Sequence, residues 1–228
     1  MNAEPLVGAD LAQSVLADAL GSGGDFAELY CEERSGFALS VDESRVERPQ
    51  RGAERGAGVR VVSGDTAYFA HVDGLAEADL RRAASAAAAA LSGERSEVAA
   101  LAAVAAADLQ DVQVDPEEVA AERKADLLRS CDERARAAGG EIAQVQVSYG
   151  ENRRRVTVAN SEGTFAADDR TRVRFAAQVV ARRAERVETG FETLGGHRGF
   201  ELVEGGAAER TAERAAQIAL TLLDADPA

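Results

Sequence analysis

The sequence predicts an α+β fold of two tandem units, each a helix, about four antiparallel strands and a second helix. Three observations predict it. Stripes of small apolar residues at helical spacing open and close each half. Runs of alternating apolar and polar residues lie between them. Glycine clusters and polar turns punctuate the joins. A sheet that is apolar on one face needs helices to cover that face.

The first helix is expected over Asp10 to Leu20. Leu11, Ala12, Val15, Leu16 and Ala19 form one stripe, Asp10 can cap, and Gln13 follows three residues later. Gly21-Ser22-Gly23-Gly24 stops it. Ala27, Leu29 and Cys31 then alternate with polar residues, as do Phe37, Leu39 and Val41, giving two strands. A polar stretch reaches Arg55. Val59 to Val62 and Tyr68 to Val72 read as a hairpin turned at Ser63-Gly64-Asp65. A second helix runs from about Leu75 to Leu91. Residues 94–114 read as a linker, although Ala99 to Ala107 has high helix propensity.

The second half repeats the order. Asp115-Pro116-Glu117-Glu118 reads as a helix start, with the helix continuing to Ala138 and ending at Gly139-Gly140. Strands are expected at Ala143 to Tyr149, Arg153 to Ala159, Thr171 to Ala181 and Arg186 to Phe191. Asn160-Ser161-Glu162-Gly163 makes a turn, and a last helix covers about Ala207 to Leu223. The expected division is therefore a unit at 1–93, a linker at 94–114 and a unit at 115–228.

Composition narrows the function. The 228 residues carry 26 Lys and Arg against 40 Asp and Glu, a formal charge of −14. That balance disfavours nucleic acid and anionic membranes. Hydrophobic residues at 46% are ordinary for a globular chain. No run approaches the roughly 18 apolar residues of a membrane span, and Met1 to Ala12 lacks a signal-peptide order. Two cysteines one hundred residues apart point to a reducing cytoplasm.

Motifs for chemistry are sparse. Cys31, His71, Cys131 and His197 lie too far apart in sequence for a local zinc motif. No Gly-x-Ser-x-Gly elbow occurs, and Gly56-Ala57-Gly58 leads into a strand where a dinucleotide fingerprint would open a helix. Arg170, Arg172 and Arg174 share one strand face, opposite Thr171, Val173 and Phe175. Acids are interleaved and no aromatic platform accompanies them, so a solvated or subunit-facing surface is the better reading than RNA binding. Leu194-Gly195-Gly196-His197-Arg198-Gly199 is the most unusual loop, open to close approach by another backbone.

Several blocks together resemble the TldD/PmbA family. They are Arg55 to Val62 with Thr66 to Ala70, Val145 to Tyr149, Arg154 to Gly163, Thr189 to Glu192 and Ala219 to Ala225. The series spans nearly the whole chain and is closer to the TldD branch. The resemblance implies a cytoplasmic zinc metallopeptidase in which TldD-like and PmbA (TldE)-like chains pair around a chamber for unfolded peptides. The catalytic motif, His-Glu-x-x-x-His with a further cysteine, would lie in a C-terminal domain that this sequence lacks. No position matches it, so no catalytic or metal residue carries over, and zinc is expected in that missing domain. The expectation is a non-catalytic N-terminal region, inactive alone, that contributes chamber wall and subunit interface. Its partner would be a PmbA-like subunit or a second copy. Gly195, Gly196, His197 and Arg198 are the candidate peptide-binding residues, by strand addition at a sheet edge. The alternative is a stand-alone protein-interaction module.

Overall fold

The computed structural model describes residues 3–104 and 110–225. In chain order the elements are α1 (Ala9–Ala19), β1 (Phe26–Asp42), β2 (Arg45–Val46), β3 (Gln50–Ser63) and β4 (Thr66–Asp73). Next come α2 (Glu77–Ala88), β5 (Ala102–Val104), α3 (Ala121–Arg136) and β6 (Ile142–Asn160). β7 (Thr164–Arg183), β8 (Arg186–Gly196) and α4 (Ala207–Asp224) complete the chain. The fold is α+β, as expected.

Two compact units form. One draws on the spans Met1–Ser35, Ala53–Leu109 and Arg154–Arg170, the other on Gly36–Gly52, Gln110–Arg153 and Thr171–Ala228. This differs from the sequential division at 1–93 and 115–228. The physical reason is strand length. β1, β6 and β7 have 17, 19 and 20 residues, and each supplies both units.

In the first unit the strand order is β4-β3-β1-β6-β7-β5. β3 and β4 pair antiparallel from Gly56↔Asp73 to Ser63↔Thr66, closing the expected hairpin. Helices α1 and α2 cover a core of small side chains, including Val15, Leu16, Leu29, Cys31, Val59, Val61, Leu80 and Ala84. Helix α1 starts at Gly8 with no side-chain cap, so Asp10 does not serve as one. Gln13 clamps a distant segment instead: its Nε2 donates to Ala99 O at 3.1 Å, and its Oε1 accepts from Leu101 N at 3.1 Å.

That segment corrects the linker expectation. Ala102–Val104 is a strand, parallel to β7 in the register Ala102↔Thr164 to Val104↔Ala166. The open edge of β7 supplies ladder partners that outweigh alanine's helix preference. Residues 105–109, part of the same expectation, lie outside the described residues.

In the second unit β1, β6, β7 and β8 lie in that order, with β2 folded back on β1. β7 and β8 pair antiparallel from Val173↔Gly196 to Arg183↔Arg186. Their inner face joins α3 and α4 around Leu39, Val41, Leu128, Val145, Val147, Phe175 and Val179. Contact between α4 and β8 is backbone-close. A Cβ on Gly190 would sit 2.0 Å from Ala215 O, so only glycine fits there. On α4, Leu223 is buried, whereas its neighbour Leu222 is 41% exposed.

The helix expected from Asp115 begins differently. Pro116–Glu118 forms a 3-10 turn whose Glu117 N–H is capped by Asp115. Val119 then turns extended and buries its side chain, and α3 starts afresh after Ala120.

Candidate functional site

The second unit has one sheet face under helices and one without them. Period-two alternation sorts the residues. Phe37, Leu39, Tyr149, Glu151, Val173 and Phe175 are buried, whereas Ala38, Asn152, Arg172 and Arg174 are exposed. The expected facing of Arg172 and Arg174 opposite Val173 and Phe175 therefore holds. A groove of about 630 Å³ opens on the exposed side. Gly36, Gly52 and Gly150, from three different strands, lie along it with Gln50 and Asn152. Arg51, Arg172 and Arg174 supply its charge.

Two of these arginines are held in place. The Arg51 guanidinium lies 5.6 Å from the centroid of the Phe37 ring. Arg172 Nη2 lies 3.1 Å from His197 Nε2. A guanidinium only donates, so the imidazole accepts on Nε2 and carries its proton on Nδ1. Among the described ion pairs, none joins Arg51, Arg172 or Arg174 to a carboxylate. By contrast Arg170 pairs with Asp168 at 2.5 Å, Arg155 with Glu33 at 3.3 Å and Arg153 with Asp115 at 3.6 Å.

Glu151 lines the groove, but its charge is spoken for below it. Lys124 Nζ lies 2.7 Å from Glu151 Oε2 and also donates to Pro116 O at 2.8 Å. The Tyr149 hydroxyl donates to Glu151 Oε2. Lys124 is fully buried, its ammonium 4.5 Å from the Phe37 centroid. Burial, then the hydrogen bond to Glu151, pushes the Tyr149 phenol well above its ordinary value. Sequence reasoning missed this cluster because Lys124 lies 27 residues before Glu151 in the chain. Lys124 as the sole lysine among arginines was the one available signal.

The four candidate residues are placed as follows. Gly195 and Gly196, expected in a loop, are the last residues of β8, opposite Arg174 and Val173. The ladder with β7 carries through them because glycine tolerates extended backbone as well as turns. His197 and Arg198 are exposed beyond the strand end. His197 reaches the groove through Arg172, while Arg198 forms a backbone bridge with Asp111. The connection is tethered at its far side: Phe200 N donates to Val114 O at 2.8 Å, and Glu201 accepts from Val114 N and Gly199 N. Burial raises the Glu201 carboxyl, and these backbone N–H groups more than offset it, leaving the group below its usual range.

The metal candidates do not converge. Cys31 and Cys131 are fully buried in separate hydrophobic clusters, and desolvation pushes the Cys31 thiol up to about 12. Burial pushes the Cys131 thiol up as well. His71 is exposed and stacks near Phe69. Among the described residues no group of three or more His, Cys, Asp or Glu could hold a metal ion. The described residues thus do not assemble a zinc site. None of the helices among the described residues is long and apolar enough to cross a membrane.

Family models match two stretches. Residues 27–91 match the PmbA/TldA metallopeptidase domain 1, and residues 114–223 match the PmbA/TldA metallopeptidase central domain. The chain belongs to the TldD/PmbA family. A metalloprotease TldD homolog of Haemophilus influenzae is 30% identical over 194 residues, which is 79% of this chain and 39% of that protein. One from Buchnera aphidicola is 25% identical, covering 73% of this chain and 35% of its own length. This TldD/PmbA chain therefore spans well under half the length of the curated relatives it matches. The solved TldE of Thermococcus kodakarensis shares the fold, with a TM-score of 0.69 at 16% identity over 86% of this chain and 44% of that one.

Proposed function

We propose that this chain is the non-catalytic N-terminal region of a TldD-like zinc metallopeptidase subunit, and that its second unit meets unfolded peptide. The parent assembly hydrolyses peptides in the cytoplasm with a zinc centre that lies outside this chain. The region contributes chamber wall and an interface to a PmbA (TldE)-like subunit or a second copy. The observation that carries the peptide reading is the uncovered sheet face, whose glycine-lined groove adjoins the edge strand β8. β8 pairs with β7 on one side and with no other strand among the described residues. An extended peptide can add to such an edge through main-chain hydrogen bonds, which tolerate varied side chains.

The test uses the full-length parent with its partner subunit and an unfolded fluorogenic peptide. His197→Ala with Arg198→Ala is expected to raise KM several-fold and leave kcat unchanged. An unchanged KM would remove the β8 end from the peptide path. The isolated 228-residue chain is expected neither to cleave the peptide nor to retain one equivalent of zinc after dialysis.

A further inference from the structure

We infer that the arginine groove of the second unit selects acidic segments, taking an extended peptide with carboxylates at alternate positions. One carboxylate would meet Arg172 and the next Arg174, with Arg51 at the flank. The inference deepens the peptide-binding reading above and rests on it.

Charge is the first argument. The chain carries a formal −14, yet this groove presents three guanidinium groups without carboxylate partners among the described ion pairs. The one acid lining it, Glu151, is neutralised by buried Lys124. Arg153 and Arg155 on β6 and Arg170 on β7 are each ion-paired, unlike the three arginines that line the groove.

Spacing is the second. Arg172 and Arg174 are two residues apart on one strand, so their side chains leave the same face about 6.8 Å apart. An extended peptide presents alternate side chains at that same interval. Acids at positions i and i+2 therefore meet both arginines, whereas adjacent acids point to opposite sides. Gly36, Gly52 and Gly150 leave room for a main chain to lie close.

Preorganisation is the third. His197 holds Arg172 and the Phe37 ring holds Arg51, which lowers the entropy lost on binding. A polyphosphate chain fits less well. The only aromatic lining the groove, Phe37, is buried beneath Arg51, so bases find no stacking platform. The surrounding negative charge also repels a long polyanion, while a short acidic segment needs only the local field.

The experiment measures fluorescence anisotropy of labelled, unstructured peptides on the 228-residue chain. One carries Glu at alternate positions, one carries the same Glu residues adjacent, and one carries Gln throughout. The alternating peptide is expected to bind about tenfold more tightly than the Gln peptide, as three exposed charge pairs imply. Arg172→Gln with Arg174→Gln should erase that preference with far-UV circular dichroism unchanged. Arg60→Gln, in the first unit, should leave it intact. Equal affinity for Glu and Gln peptides would overturn the acidic selectivity and leave the peptide-binding reading standing. Binding of none of the three, with an unchanged KM in the full assembly test, would overturn both. Displacement of the Glu peptide by oligothymidylate at lower concentration than by free Glu peptide would reassign the groove to nucleic acid.

Discussion

Tyr30-Cys31-Glu32 and Tyr149-Gly150-Glu151 repeat one local pattern in the two units. In each, a tyrosine on a strand donates its hydroxyl to the glutamate two residues on, and a basic side chain completes the cluster. In the first unit the base is Arg154, which bonds Glu32 at 2.6 Å and the Tyr30 hydroxyl at 2.7 Å with its own side chain 42% exposed. In the second it is Lys124, wholly buried. The chemistry is similar and the surroundings differ. Water screens the first pair, so it contributes little. The second has no water to fall back on, so each member depends on the others.

Breaking the buried cluster should show the largest effect. Lys124→Met leaves an uncompensated carboxylate inside the core, and about 3–5 kcal/mol of stability should be lost in urea unfolding. Adding Glu151→Gln removes that charge while keeping an acceptor for Tyr149, so the double variant should be more stable than Lys124→Met alone. A loss below about 1 kcal/mol for Lys124→Met would erase the distinction between the two clusters.

The tyrosines sharpen the contrast. Tyr149→Phe takes a hydrogen bond from a buried carboxylate and should cost about 1–3 kcal/mol. Tyr30→Phe should cost well under that, because water can replace the lost donor. Equal costs in parallel urea titrations would count against burial as the deciding factor.

The smallest effect is expected at Glu32. Burial raises its carboxyl, but the Tyr30 hydroxyl and Arg154 more than offset this and hold it below the usual range. A lowered folded pKa gives stability that is present above the unfolded value, about 4.3, and lost as pH falls through the folded value. Glu32→Gln should therefore cost less than about 1 kcal/mol at pH 7, and the gap from wild type should close as pH falls through the lowered folded value. A gap that widens in acid would reverse the sign of this assignment.

The alternating faces of the strands in both units were legible in the sequence, since Leu29 and Cys31, Val145 and Val147, or Arg172 and Arg174 each obey period two. Strand ends were less so. Ser35-Gly36 and Gly150-Glu151-Asn152 look like breaks, yet β1 and β6 run straight through them. Flanking strands supply the ladder that local propensity does not. Gln50 to Arg55 looked like loop because its side chains are exposed, while its backbone belongs to β3. Of the site, the arginine pair followed from spacing alone. Arg51, Phe37 and Glu151 reach it only through strand pairing, which one sequence does not disclose.

The way β6 and β7 serve both units has a consequence for synthesis. The first unit includes Arg154–Arg170, so it cannot be completed when residue 109 leaves the ribosome. About 45 further residues must emerge before its last strands can arrive, and residues bound for the other unit emerge among them. The nascent chain thus waits with an open sheet edge, in the kind of state that holding chaperones recognise. A gene split between the halves would yield two fragments, each awaiting strands that the other carries.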